Sequence, residues 1–171
     1  MVVVDTNVLL YAADESSEFH APCRRLLEAL RAGSIPWFLT WGIAYEFLRV
    51  ATRPRVDPQP RSASEARSFL EALLHTPSAR LLHPTARHAE VLAASLADVP
   101  EARGNLLHDL HTTVLMRMYG VSRIVARDPD IHRFAFLDVI DLLRVEGFGW
   151  GSAPGGELAD HRRVGTASDV H

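Results

Sequence analysis

Apolar residues along this chain fall into short runs that alternate with helical stripes. Val2, Val3 and Val4 form a β-branched run that ends at Asp5, the pattern of a strand buried on both faces, and an apolar helix follows directly. Residues 14–17 carry turn and cap signals. A helix then places Cys23, Leu26, Leu27 and Leu30 on one face, with Gly33 as its stop. Pro36 opens a second short strand at residues 37–39. Residues 43–52 read as a helix with Ile43, Phe47, Val50 and Ala51 inward, ended by Pro54, and the three prolines in residues 53–60 mark a loop.

The second half repeats the alternation. Ser64 is placed to cap a helix with Phe69, Leu70, Leu73 and Leu74 on its apolar side. Residues 80–83 form a short strand, residues 86–98 a helix, and residues 100–104 a loop. Asn105 caps a helix that runs to Tyr119 and stops at Gly120, with Leu107, Leu110, Val114 and Met118 as its stripe. Residues 124–126 form a strand followed at once by Asp128, Pro129 and Asp130, and residues 136–143 include the last strand. Short buried strands alternating with helices predict an α/β fold: a three-layer α/β/α sandwich around a short, mainly parallel sheet. From Gly147 on, the composition turns to Gly, Ser, Ala and polar residues, which divides the chain into a domain over 1–146 and a tail over 147–171.

Composition adds little to this picture and excludes some classes. The 171 residues suit one domain with a sizeable core. No apolar run approaches the roughly 18 residues that span a bilayer, so no membrane role is expected. The single cysteine, Cys23, permits no internal disulfide, which fits a reducing cytoplasm, and its apolar helix position reads as packing. The net charge of −3 runs against the basic surplus of most nucleic-acid binders, although acids gathered for a metal lower the balance. All 18 basic residues are Arg.

The chemistry lies in four carboxylates. In open α/β sheets, sites form beyond the C-terminal ends of parallel strands. Asp5 and Asp128 both follow strands and share that edge if the strands are central. Glu46 sits at the border of its helix's apolar stripe, near Val50. Asp109 lies in the first turn of its helix, set off the stripe on the side carrying Thr112 and Met116. Clustered carboxylates repel one another, and a cation relieves that cost. All-oxygen ligation suits Mg2+ or Mn2+ and not zinc. Taken singly, each acid also has an ordinary reading as a cap, turn or helix-border residue, so placement alone leads to a candidate metal site and no further.

Four segments carry a resemblance. V-V-D-T-N-V-L-L-Y-A at 3–12, W-G-I-A-Y-E-F-L-R-V-A-T-R-P-R-V at 41–56, G-N-L-L-H-D-L-H at 104–111 and V-A-R-D-P-D-I-H-R-F at 125–134 resemble, in order, the acidic motifs of PIN-domain ribonucleases, in particular VapC-type toxins. The resemblance covers roughly residues 2–143. It implies a Mg2+-dependent endoribonuclease, with Mn2+ as a substitute, in which Asp5, Glu46, Asp109 and Asp128 are catalytic. Asp5, Asp109 and Asp128 would hold the metal and Glu46 would act directly or through water. A metal-activated water would attack phosphorus in line, leaving a 5′-phosphate and a 3′-hydroxyl. Asn7 and Asp130 take supporting positions. Ala126 departs from the usual Thr or Ser, and Ile131 from a usual Phe. The family also implies an RNA substrate, a homodimer, and a VapB-type antitoxin in a toxin–antitoxin hetero-oligomer, with the helices at 17–31 and 43–52 as the surfaces to inspect.

Around these motifs, Arg49, Arg127 and Arg133 are candidate phosphate contacts, with Arg53 and Arg55 beside them, although a solvated rim explains each equally well. Trp41, Tyr45 and Phe134 are placed to stack on bases or to join the core. His108, His111 and His132 read as ordinary polar or core residues before general acids. Three other functions compete. A haloacid dehalogenase-type phosphatase needs a second Asp where Asn7 stands. A structure-specific DNA nuclease carries clamping additions for which this chain is short. A catalytically silent RNA-binding module would not need all four acids.

Overall fold

The computed structural model describes residues 1–53 and 61–141. Five parallel strands form one sheet in the order β3-β2-β1-β4-β5. They are β1 (Val2–Val4), β2 (Trp37–Thr40), β3 (Ala79–Leu82), β4 (Arg123–Val125) and β5 (Asp138–Ile140). Six helices connect them: α1 (Thr6–Ala13), α2 (His20–Ala32), α3 (Trp41–Ala51), α4 (Ala63–Leu74), α5 (His88–Asp98) and α6 (Leu106–Tyr119). A 3-10 turn, Pro129–Arg133, links β4 to β5. None of these helices is long and apolar enough to cross a membrane. The α/β sandwich predicted from the alternation is therefore present, with a sheet parallel throughout.

The topology explains where a site can form. From β1 the chain steps outward to β2 and β3, then returns across the sheet to add β4 on the other side of β1. Helix α1 packs on both α2 and α3, α3 packs on α4, and α5 packs on α6. Right-handed crossovers running in opposite directions put these two groups on opposite faces. The strand order reverses between β1 and β4, so their C-terminal ends splay the connecting chains apart and leave a crevice. Val3 pairs with Ile124 and Val4 with Val125. The Asp5 amide continues the ladder by donating to the Val125 carbonyl at 3.0 Å.

Local chemistry accounts for the elements and for several departures from expectation. All three residues of β1 are buried, as a central strand requires. Helix α2 buries Cys23, Leu26, Leu27 and Leu30, and Gly33 ends it in an extended conformation. Its start lies later than the turn signals: Phe19 holds the cap position without a side-chain bond, while Asp14 accepts from the Ser16 amide and hydroxyl. Helix α3 begins at Trp41, because the Thr40 hydroxyl caps it by accepting from the Ile43 amide. Ala44, not Val50, completes its buried face. Helix α4 is capped by Ser62, not Ser64. Glu65 stands three residues after Ser62 and closes a reciprocal capping box. Asn105 precedes α6 but makes no capping bond, and Gly120 ends the helix at φ 65°, a left-handed conformation that glycine adopts freely. The buried stripe of α6 runs through Leu106, Leu110, Val114 and Met116, while Leu107 faces solvent. Trp37 is fully buried with its indole N–H donating to Ser78 Oγ, whose hydroxyl donates to the Leu30 carbonyl.

Candidate active site

The crevice beyond β1 and β4 gathers the acids. Asp5 caps α1 and accepts from the Asn7 amide at 3.5 Å, a long contact, so Asn7 supports the site here through its main chain. Burial pushes the Asp5 carboxyl up to about 6, against the pull of the Thr6 and Asn7 amides; the charge of Asp128 adds to the rise, and His108 opposes it. Asp109 projects from the first turn of α6. Burial pushes it up to about 7, and the charges of Asp5, Asp128, Asp130 and Glu46 reinforce the shift in that order. Four acids predicted from the sequence therefore act on a fifth, Asp109. Asp109 does not sit on a polar side of its helix. The side it shares with Thr112 and Met116 is buried, and this burial is the first cause of its shift.

The other acids have hydrogen-bond partners of their own. Asp128 caps the 3-10 turn by accepting from the Asp130 amide at 2.9 Å. Asp130 lies at the exposed rim and accepts from Arg133 Nε at 3.0 Å. Glu46 is gripped by Arg49, whose Nε and Nη2 reach its two oxygens. That pairing holds the Glu46 carboxyl below its ordinary value despite partial burial.

Three residues expected to meet phosphate have other partners. Arg49 is bound to Glu46, Arg133 to Asp130 and more loosely to Glu101, and Arg127 lies 3.8 Å over the Phe19 ring. Phe134 is buried and belongs to the core, leaving Trp41 and Tyr45 as the exposed aromatics of the three. His132 is exposed. Ile131 and Ala126 are both buried, so the two departures from the family pattern are packing positions. Cys23 is buried, and burial pushes its thiol up to about 11, which makes it inert packing. Arg55 and residues 147–171 lie outside the described residues.

The structure adds Thr6, Gly42 and His88 to the surroundings of the site and places His108 and His111. The Thr6 hydroxyl, next to Asp5, is buried without a hydrogen-bond partner, as is Nε2 of His108, next to Asp109. Gly42 lets α3 approach α6: a Cβ there would stand 3.3 Å from His111 Nδ1, 3.4 Å from His108 Cε1 and 3.4 Å from Thr40 Oγ1. His111 in turn meets His88 edge to face, and burial followed by the charges of His88 and His108 holds it below its ordinary value.

The donor set fits a hard divalent cation. Two carboxyls carry an electrostatic penalty that a cation would relieve, and an orphaned hydroxyl stands beside one of them. Among the described residues, no three His, Cys, Asp or Glu side chains form a ready metal cage. Mg2+ does not require one, because it keeps several waters and takes only one or two carboxylates directly. Asp5 and Asp109 would be the best-placed direct ligands of such an ion. Asp128 stands close enough to act on both, and Glu46, already paired with Arg49, suits contact through water.

Comparison with known proteins places the chain in a family. Residues 2–137 match the PIN domain family. Ribonuclease VapC37 of Mycobacterium tuberculosis is 35% identical over 154 residues, 90% of this chain and 98% of the relative. Ribonuclease VapC43 of the same species is 38% identical over 111 residues, 65% of this chain and 75% of the relative. Among solved structures, Mycobacterium tuberculosis VapC20, described as a Sarcin-Ricin loop cleaving toxin, superposes with a TM-score of 0.58 at 19% identity, over 77% of this chain and 93% of the other. VapBC2 from Rickettsia felis, solved bound to a DNA fragment from its promoter, gives 0.59 at 14% identity, over 82% and 98%. At such identities the two structures speak for the fold.

Proposed function

Because the chain belongs to the PIN-domain family, with VapC ribonucleases as relatives over most of its length, we propose that it is a Mg2+-dependent endoribonuclease, the toxin of a VapBC toxin–antitoxin pair. One observation carries the catalytic part of this reading. Asp109 lies within electrostatic reach of Asp5 at the crevice beyond β1 and β4, and each is destabilised as a carboxylate by burial and by neighbouring charge.

Asp5, Asp109 and Asp128 would hold the ion, with Glu46 reaching it through water. Mg2+ bound there supplies charge stabilisation at a phosphodiester and a more acidic water for in-line hydrolysis. The chain's own part is placement. The β1–β4 ladder fixes Asp5, the first turn of α6 fixes Asp109, and Arg49 keeps Glu46 ionised and oriented. A VapB-type antitoxin, a homodimeric toxin and a cytoplasmic setting follow from the same family reading. The solved VapBC pair with this fold supports the antitoxin.

The open arrangement of the acids also suits a catalytically silent RNA-binding module. Incubating the purified protein with structured RNAs in Mg2+ and in EDTA separates the two. Cleavage that needs Mg2+ and is lost in Asp5→Asn supports the enzyme. Persistence of cleavage in EDTA, or in the variant, overturns it, and absence of Mg2+ binding by calorimetry together with no cleavage of any RNA supports the silent module.

A further inference from the structure

A cavity of about 320 Å³ lies between α5, α6 and the chain that leaves the 3-10 turn, outside the cluster of acids. Small-molecule sites of this size combine apolar walls with a few placed polar groups. Here Val99 and Phe134, both buried, supply apolar wall, and Phe136 adds a ring. The Arg117 guanidinium lies 5.4 Å over that ring, donates to Ser95 Oγ at 3.0 Å and pairs with Asp98 at 2.7 Å. Arg133 lines the same cavity, with its Nε on Asp130 at 3.0 Å and Glu101 3.7 Å away. Two of these contacts join the cavity to the crevice. Arg133 holds the rim acid Asp130, and the Thr113 hydroxyl, also on the cavity wall, donates to the Asp109 carbonyl at 2.9 Å. Thr113 stands one helical turn from Asp109, about 6 Å along α6.

We propose that this cavity receives an unpaired base of the RNA substrate beside the acidic crevice. The reading rests on the proposed ribonuclease activity and names how that site selects its substrate. The charges decide the class of ligand. Each guanidinium already faces a carboxylate, so a phosphate or a peptide carboxylate gains little there. A Lys or Arg side chain would meet two guanidiniums. A purely apolar side chain would desolvate the Asp98 carboxylate and the Arg133 guanidinium without pairing them. A nucleobase is neutral and flat, with donors and acceptors along its edges, and it stacks on aromatic rings and guanidinium planes alike. Guanine matches the set best: its O6 and N7 acceptors suit a guanidinium, and its amino group suits a carboxylate.

Saturation-transfer NMR on the full chain in EDTA, with guanosine, adenosine and ribose 5-phosphate as separate probes, tests the cavity. Ala135 is exposed and lines it, so Ala135→Trp plugs the cavity and Ala135→Ser leaves it open. Circular dichroism checks that both variants fold. Guanosine should bind wild type and Ala135→Ser alike, and Ala135→Trp roughly tenfold more weakly. Adenosine should bind the wild type more weakly than guanosine does, and ribose 5-phosphate should not distinguish the variants. In Mg2+, the plug should raise KM for RNA severalfold with little change in kcat. Guanosine binding that the plug leaves unchanged, or no nucleoside binding by the wild type, overturns the proposal. So does plug-sensitive binding of N-acetyltyrosinamide in place of nucleosides, which would make the cavity a peptide site. A wild type that binds guanosine in the expected way yet cleaves no RNA in Mg2+ would instead overturn the catalytic reading alone.

Discussion

Replacing Asp109 by Asn should stabilise the metal-free protein while abolishing RNA cleavage. The carboxyl of Asp109 is raised from 3.8 to about 7 by burial and by four neighbouring acids. A raised folded value means that the native state holds its proton where the unfolded chain has lost it. Stability from this group is therefore full below about pH 4, falls as pH rises, and levels off above about pH 7. The shift corresponds to about 4 kcal/mol as an upper bound, and partial solvent access reduces that to roughly 2 kcal/mol. Asn has the same shape and no charge, so the variant escapes the loss. Asp5, raised to about 6, drives the same trend in both proteins over a narrower window. Urea denaturation in EDTA at about pH 5 and about pH 8 measures the gap, which should widen with pH. Mg2+ should then stabilise the wild type and have little effect on the variant, because only an ion that binds the native state shifts the equilibrium. A variant no more stable than wild type at about pH 8, or a wild type that gains stability across this range, would refute the account of the crevice as a strained anionic site.

Gly42→Ala should favour the helix intrinsically yet reduce cleavage severalfold, because its Cβ would crowd His108, His111 and Thr40 at the α3–α6 contact; melting temperature and kcat, measured together, should move independently. Ser62→Ala should cost about 1 kcal/mol in chemical denaturation, whereas Ser64→Ala should fall within a few tenths, since only Ser62 closes the capping box. Ser78→Ala should destabilise by roughly 1–3 kcal/mol without touching the crevice, because it strands the buried indole N–H of Trp37.

What the sequence reveals about this protein follows from how local each determinant is. The Val2–Val4 run and Asp5 are legible because a strand buried on both faces leaves a plain apolar signature, and the next residue must lie at the sheet edge. The order β2-β1-β4 completes the argument by making β1 and β4 neighbours, a long-range pairing that no local pattern encodes. On α6, apolar residues occupy both 106 and 107, so periodicity alone leaves the stripe open by one position. Tertiary packing settles it: Leu106 is buried, and Asp109 shares the buried side with Thr112 and Met116.

The arginines mark the opposite limit. An Arg beside an acidic motif looks like a phosphate contact until its neighbours are known, and the fold supplies three of them with other partners. Arg49 takes Glu46 one helical turn away, Arg133 takes Asp130, and Arg127 covers Phe19 from a distant part of the chain. These pairings also change what the site can do. With Glu46 held by Arg49 and Asp130 by Arg133, the rim acids are compensated, while Asp5 and Asp109 carry the unfavourable charge at the centre. A cation entering the crevice therefore gains most at Asp5 and Asp109. That difference ranks the candidate ligands on physical grounds.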